Sequence, residues 1–424
     1  MKCLPGLRIK RVRLCIAIIG FLPGTPAYAA FRGRVVDRAD RRPIPGAIVT
    51  SGNLTATTGQ DGRFQIGETA GFVGARASGY RQTQVGAAIF KGAAPDIGLT
   101  PFRPKALYLS VYGIGARTLR DPALALAARA GINALVIDVK GDRGLIPYRS
   151  SVALAARLGA NRVVTVGDIH GLIQDLHGRG LYLIARIVVF KDNPLAESRP
   201  DLAVKSSGGR IWRDREGLAW VDPSKKQAWD YSIDIAVEAA GNGFDEIQFD
   251  YVRFPDAKGV SYSVANTEQN RVDALSGFLR EARARLAPLN VFLAADVFGY
   301  IPWNLNDTDI GQRIDKLAPL VDYLCPMLYP SGFQFGIPGY RMPVAHPYEI
   351  VRLSLDRAAQ RSQLPPARFR PWLQAFRDYA FDKRVFGPKE IAEQIRAAEE
   401  FGSDGWMLWN PHNVYSDDGL PHIK

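Results

Sequence analysis

The residues best placed to do chemistry lie in the run 244–256. Glu246, Gln248 and Asp250 occupy every second position and alternate with apolar residues, which predicts a strand with one polar face. Burying an unpaired polar group costs on the order of 2–7 kcal/mol, so this face is either paired internally or part of a site. An ion pair with Arg253 is the structural interpretation, and acid or base chemistry is the functional one.

Several other apolar runs also end in acids, amides, cations or aromatic residues. If these runs are parallel strands of one barrel, their carboxyl ends meet at one face, where active sites form. The residues at these ends are Tyr112, Asp138, Lys140, Asp142, Lys191, Asp192, Asn193, Asp250, Arg253, Asp296, Met327, Tyr329, Gln374, Trp409 and Asn410.

Several acids around an aromatic-lined mouth suit the hydrolysis of glycosidic bonds. One carboxylic acid protonates the leaving oxygen, and a second carboxylate attacks the sugar or activates water. We predict that Asp250 and Asp296 are this catalytic pair; a hydrogen bond from Asp296 to a neighbouring loop is the structural alternative. The predicted substrate contacts are Tyr112, Asp138, Lys140, Arg253, Met327, Tyr329, Gln374, Trp409 and Asn410.

Three of these contacts have open roles. Lys140 and Arg253 could lower the pKa of a nearby carboxyl group and favour a nucleophile, or they could bind an acidic sugar. Trp409 could form a flat apolar floor for a pyranose ring, with a core position as the alternative.

The elements that would position these residues follow a repeating strand–loop–helix order from residue 105 onward. Eight such units predict an α/β fold, a (β/α)8 TIM barrel over 105–424. The doubly wound alternative is weaker because no Gly-rich phosphate loop follows the first strand. The predicted strands are 105–113, 134–141, 182–190, 246–254, 291–299, 322–331, 370–376 and 405–411. The predicted helices are 121–130, 168–179, 224–240, 267–287, 310–318, 347–359 and 388–401.

Residues 30–100 have a different sequence pattern, in which short runs of alternating apolar and polar residues are separated by Gly, Pro, Asp and Thr. Closely spaced turn signals of this kind predict a small all-β sandwich before the barrel. The runs 31–37, 43–49, 57–66 and 77–80 resemble the carboxypeptidase regulatory-like domain, a transthyretin-like, immunoglobulin-type sandwich. The resemblance implies a spacer or adhesive module, and Pro95, Pro101 and Pro104 predict a linker after it.

Residues 105 to about 415 resemble a glycoside hydrolase domain family of bacterial secreted proteins, whose members carry an equivalent of the motif at 249–255. This resemblance implies a (β/α)8 barrel with glycosidase activity. A more distant similarity to the chitinase superfamily lies in 327–329 and 405–409. The catalytic glutamate of that superfamily would fall on Val252, so its absence argues against chitinase-type hydrolysis and leaves Asp250 as the acid of the motif.

The amino terminus, residues 1–29, reads as a signal peptide with five cations, a short apolar run and a small-residue cleavage pattern. The mature protein would therefore be secreted or periplasmic, without an integral membrane segment. Cleavage would lower the formal net charge from +12 to roughly +7. No dense Lys/Arg block remains, which argues against nucleic-acid binding. Cys325 would be the one remaining cysteine, so no internal disulfide is expected.

The sequence thus predicts a hydrolase that acts on a polysaccharide or oligosaccharide. No cofactor is expected, and the five histidines lack metal-ligand spacing, so no metal site is predicted either. A non-catalytic carbohydrate-binding or envelope scaffold protein is the main alternative, and an envelope-remodelling transglycosylase is a third. Protein partners of the sandwich are not identified by any motif.

Overall fold

The computed structural model describes residues 30–69 and 71–421, so the predicted signal peptide lies outside the described residues. Strands of the first hundred residues form two facing sheets, of order β4-β1-β7 and β3-β2-β5-β6. This arrangement confirms the predicted sandwich. Its strands are β1 (Ala30–Asp37), β2 (Ile48–Ser51), β3 (Leu54–Thr57), β4 (Arg63–Gly67), β5 (Phe72–Arg76), β6 (Thr83–Gly86) and β7 (Asp96–Leu99).

The larger part of the described chain is built on an eight-stranded parallel sheet, of order β15-β14-β12-β10-β9-β8-β17-β16. Parallel bridges from Leu324 to Phe369 and from Met327 to Trp372 join its two outer strands and close it into a barrel. Its strands are β8 (Lys105–Leu109), β9 (Ala134–Lys140), β10 (Tyr182–Val188), β12 (Glu246–Asp250), β14 (Phe292–Val297), β15 (Tyr323–Pro326), β16 (Trp372–Gln374) and β17 (Trp406–Trp409). All eight predicted strands are confirmed, each with a shorter carboxyl end. A short ribbon of β11 (Lys205–Ser206) and β13 (Val260–Ser261) lies in the loops.

Helices surround the barrel, and their ends follow local sequence signals. Asp168 and Thr267 cap two helices by accepting hydrogen bonds from the backbone N–H groups of Gly171 and Asn270. Gly243 ends a third with a left-handed backbone, φ 108°. The helices are α1 (Val111–Gly115), α2 (Arg117–Arg129), α3 (Ala153–Arg157), α4 (Ile169–Gly178), α5 (Asn193–Ser198), α6 (Lys226–Asn242), α7 (Glu268–Leu286), α8 (Ile314–Leu317), α9 (Pro347–Ser362) and α10 (Pro388–Phe401).

The barrel interior carries a charged cluster near the amino ends of its strands. Arg370 donates to both carboxylate oxygens of Glu246 at 2.7 Å and to Asp404 at 2.8 Å. Tyr182 adds a hydrogen bond of 3.0 Å to Glu246. Because this cluster is enclosed by the core, its ion pairs compensate for the loss of hydration.

The sandwich packs against the amino-terminal end of the barrel. Arg76 of β5 is buried and donates to the carbonyl of Ala287 at 3.1 Å, with Asp322 at 3.9 Å. Gln82 donates to Asp245 at 2.6 Å, directly before β12. Residues 100–104 connect the two parts.

Two further features concern the described residues as a whole. None of their helices combines the length and apolar character that a bilayer span requires. Cys325 is buried inside the barrel as a free thiol, and burial raises its pKa well above the ordinary range for cysteine.

Candidate active site

A cavity of about 440 Å³ opens at the carboxyl ends of the barrel strands. Its charged wall is formed by Asp142, Arg186, Asp250 and Arg253. The remaining wall is mostly aromatic, which suits the apolar faces of sugar rings. Its aromatic residues are Tyr251, Phe298, Tyr300, Tyr329, Phe333, Trp372, Phe376, Tyr379 and Trp409.

Arg186 is the charged centre of this cavity wall. It lies on β10 and is 1% exposed, so its guanidinium requires compensation inside the protein. It donates to Asp138 at 2.7 Å, to Asp142 at 2.9 Å and to Asp250 at 2.6 and 3.0 Å. One cation thus holds three carboxyl groups at the mouth, two from the end of β9 and its following loop and one from the end of β12.

Asp138 lies one step behind the cavity wall. Burial raises its pKa to about 6, although the charge of Arg186 acts in the opposite direction. Tyr108 also donates a hydrogen bond of 2.7 Å to its Oδ2. Asp138 therefore changes charge within the pH range in which many enzymes operate.

Asp250 ends β12 and faces the cavity with both carboxylate oxygens held. Arg186 binds Oδ2, and the backbone N–H of Tyr251 donates to Oδ1 at 2.5 Å. Tyr251 has a left-handed backbone, φ 51°, which costs roughly 1–2 kcal/mol for a residue with a side chain. Such strain clusters at functional sites, and here it ends the strand and fixes the carboxylate at the mouth.

Asp296 lies on the neighbouring strand β14 and is 1% exposed. Its Oδ1 accepts a hydrogen bond of 2.7 Å from the indole of Trp372, while its buried Oδ2 has no partner among the described residues. Burial, and then the negative charge of Asp250, raise the pKa of Asp296 well above the ordinary range for aspartic acid. The site thus combines an ion-paired carboxylate with a neighbouring carboxyl group that favours its neutral form.

The structure brings five predicted residues to the cavity wall: Asp250, Arg253, Met327, Tyr329 and Trp409. Asp296 lies beneath the wall, against Trp372. Asp138 and Tyr112 line a smaller neighbouring cavity of about 150 Å³. Six of the predicted site residues, including both predicted catalytic acids, therefore lie at or directly beneath one cavity wall.

Lys140 does not reach the cavity. A register shift in the pairing of β9 with β10 follows Asp138, so Lys140 pairs with Ile187 and does not share the inward face of Asp138. Its ammonium group is fully buried among the helices, where it binds Asp192 at 2.7 Å and Ser232 at 3.0 Å. The predicted substrate contact of Lys140 is therefore wrong: the shift turns its side chain away from the cavity, toward the helices.

Gln374 and Asn410 also hold the structure and do not line the cavity. The side chain of Gln374 binds the backbone N–H of Ser331 at 3.0 Å and its hydroxyl at 2.7 Å. Asn410 donates to the carbonyls of Ala375 at 2.7 Å and Val414 at 2.8 Å. Both side chains fix the loops that form the mouth, which explains their position at strand ends.

Sequence reasoning missed Arg186, and it left Trp372 unplaced. A signal for Arg186 existed, since it is the one charged residue in the apolar run 182–190. The rim aromatic residues come from loops, where no periodic pattern marks them; they are Phe298, Tyr300, Phe333, Phe376 and Tyr379. As for metals, the described residues contain no group of three or more His, Cys, Asp or Glu side chains that could hold an ion.

Residues 106–415 match the family described as "Putative glycosyl hydrolase domain". The chain belongs to this family. The match spans the barrel, including the cavity wall, and it confirms the resemblance drawn from the motif at 249–255. No curated protein matches the chain.

Several solved structures are similar to this chain, and two of them, with TM-scores of 0.50 and 0.52, agree with the barrel fold. A hypothetical protein from Ruminiclostridium thermocellum ATCC 27405 shares 38% identity, with 45% of this chain and 97% of that chain covered and a TM-score of 0.41. The PgaB (BpsB) glycoside hydrolase domain from Bordetella bronchiseptica shares 13% identity, with 76% and 99% covered and a TM-score of 0.52. A β-galactosidase from the psychrophilic Marinomonas ef1 shares 12% identity, with 74% and 55% covered and a TM-score of 0.50.

Proposed function

We propose that this family member is a secreted or periplasmic glycoside hydrolase that cleaves a polysaccharide, with Asp250 and Asp296 as its acting carboxyl pair. The observation that carries the proposal is the meeting of two unlike carboxyl groups beneath an aromatic cavity. Asp250 is held by the positive charge of Arg186, whereas Asp296 is buried without a cation bonded to it. When two neighbouring acids have such different environments, one favours its charged form and the other its protonated form.

In the proposed reaction, Asp250 is the negative group that faces the sugar and stabilises or attacks the anomeric carbon. Asp296 supplies the proton of the pair, since Trp372 occupies its Oδ1 and leaves Oδ2 for the proton. Neighbouring parallel strands are about 4.8 Å apart. Carboxyl groups are about 5–5.5 Å apart in retaining enzymes and about 6.5–9.5 Å apart in inverting enzymes. The strand spacing therefore supports a retaining pair.

A second candidate function is carbohydrate binding without hydrolysis. Two observations favour it: both oxygens of Asp250 already accept hydrogen bonds, and Asp296 is 1% exposed. Binding through the aromatic wall would then be the whole function of the cavity. The two candidates differ in whether new reducing ends appear.

The test is the release of reducing ends from a panel of bacterial and plant polysaccharides by the mature chain. Asp250→Asn and Asp296→Asn are each expected to lower kcat by about 10²–10⁴-fold. Asp230→Asn, an exposed change on α6, is the matched control and should retain full activity. Activity that survives both site substitutions would refute the assigned pair, and binding without release would establish the second candidate.

A further inference from the structure

A second cavity of about 560 Å³ adjoins the first at the mouth of the barrel. Tyr251 and Arg253 line both cavities, so the two share a wall. Trp212 and Trp220 add aromatic surface to the second cavity, and their rings pack edge to face at 6.4 Å. A glycan bound at Asp250 could therefore extend into the second cavity past Arg253.

Arg253 differs from Lys191 and Arg213, two other cations that line the second cavity, in its partners. Lys191 binds Glu216 at 2.9 Å, and Arg213 binds Glu197 at 2.8 Å. For Arg253, no carboxylate among the described residues lies within 4.0 Å; its Nη1 donates to the carbonyl of Phe254 at 3.1 Å. The guanidinium is partly buried, and burial lowers its pKa from the ordinary value. A positive charge is thus held at the shared wall without a bonded counter-ion.

The surroundings of Arg253 also fix its orientation. Its guanidinium lies 4.8 Å from the ring centre of Trp220 and 5.2 Å from that of Tyr251. With Nη1 engaged, the edge formed by Nε and Nη2 has no protein partner among the described residues. That edge is the planar fork that binds two oxygens of a carboxylate or similar oxyanion at once.

We propose that the second cavity is a subsite for a sugar residue carrying an oxyanion, and that Arg253 binds that oxyanion through its Nε and Nη2 edge. The inference rests on the proposed glycan-binding function of the mouth and names its substrate class, an anionic polysaccharide. A uronate carboxylate and a sulfate ester share the required chemistry. Trp212, which is partly exposed in the same cavity, provides the apolar face for the sugar ring.

The test measures binding and not hydrolysis, so it is independent of the catalytic assignment. Oligouronates are compared with their methyl esters, and sulfated oligosaccharides with their desulfated forms, by calorimetric titration at low and high salt. Since a charged hydrogen-bonded contact is worth about 10- to 100-fold in affinity, each charged form should bind more tightly by that factor. The preference should also weaken with salt, because screening reduces the attraction.

Substitution assigns the preference to Arg253. Arg253→Met should abolish it, and Arg253→Lys, which keeps the charge but loses the fork, should retain only part of it. Arg357→Met is the matched control, because Arg357 also lies over a tryptophan, Trp303 at 5.0 Å, and donates to one carbonyl. It should leave the preference unchanged.

Four outcomes decide the proposal. A preference for uronates, for sulfated sugars or for both, lost in Arg253→Met, supports it and identifies the oxyanion. Equal affinity for charged and neutral forms overturns it, even where neutral glycans are hydrolysed. A preference that persists in a folded Arg253→Met protein also overturns it. Binding to no glycan overturns it together with the proposed function.

Discussion

Arg186 offers the sharpest test of how the mouth of the barrel is held together. Replacing it with Met keeps most of the side-chain volume but leaves Asp138 and Asp250 buried without their cation. Removing one partner of a buried ion pair costs about 3–5 kcal/mol. We expect Arg186→Met to lose that much of the free energy of unfolding at pH 7.

The same substitution should have a defined pH dependence. The pKa of Asp138 is already about 6 with Arg186 present, and it should rise further without that cation. A carboxyl group whose pKa is higher in the folded than in the unfolded state favours folding at low pH, and this advantage is lost as pH rises through the folded pKa. The penalty of Arg186→Met should therefore shrink between pH 7 and pH 5.

Urea unfolding of the wild type and the variant at both pH values measures this penalty. Arg313→Met is the matched control, because Arg313 also binds two carboxylates, Asp315 and Glu268, but its side chain is 32% exposed. Ion pairs in contact with solvent are worth about 0–1 kcal/mol, so the loss should be small at either pH. A loss under 1 kcal/mol for Arg186→Met at pH 7, or an equal loss at pH 5, would refute the reasoning.

Three further predictions concern other positions. Asp138→Asn should remove the decrease in stability, of about 2 kcal/mol, that a folded pKa near 6 causes as pH rises from 4 to 6. An unchanged pH profile of stability would contradict this. Tyr329→Phe should lower kcat/KM about 10–100-fold at unchanged Tm, because it removes a hydroxyl that can donate a hydrogen bond to the substrate. Burial and the charges of Asp296 and Asp250 raise the pKa of Tyr329, which keeps this hydroxyl protonated. Full activity would exclude hydrogen-bond donation by Tyr329. Arg76→Glu places a carboxylate beside Asp322 and should speed proteolysis of the connecting residues 100–104. The exposed control Arg63→Glu should not change the rate of proteolysis. Equal rates for the two variants would show that the contact of Arg76 with Asp322 does not hold the sandwich against the barrel.

The barrel could be predicted because its strands and helices leave strong periodic signals. The helices 168–179 and 388–401 agree closely with α4 and α10, since a capping Asp168 and the positive φ of Gly402 determine their ends locally. The strands were predicted too long at their carboxyl ends. Those residues turn into the loops of the mouth, as Tyr251 does with its left-handed backbone.

The candidate site was only partly predictable because its contacts join segments far apart in the sequence. Asp250 was found from local alternation, but its partner Arg186 is 64 positions earlier. The misplacement of Lys140 has a different cause, since one bulged residue reverses the face of every side chain that follows it. Nothing in the local sequence distinguishes that strand end from a regular one.

The strand β12 shows why a polar inner face does not by itself define a site. Glu246, at the amino end, is bonded to Arg370 and Tyr182 within the closed core. Gln248, in the middle, is buried and donates to the sulfur of Met407 at 3.3 Å. Asp250, at the carboxyl end, has its cation as well, but it also lines a cavity. Depth along the barrel axis therefore distinguishes a structural acid, Glu246, from a candidate catalytic acid, Asp250, although both lie on the same face of the strand.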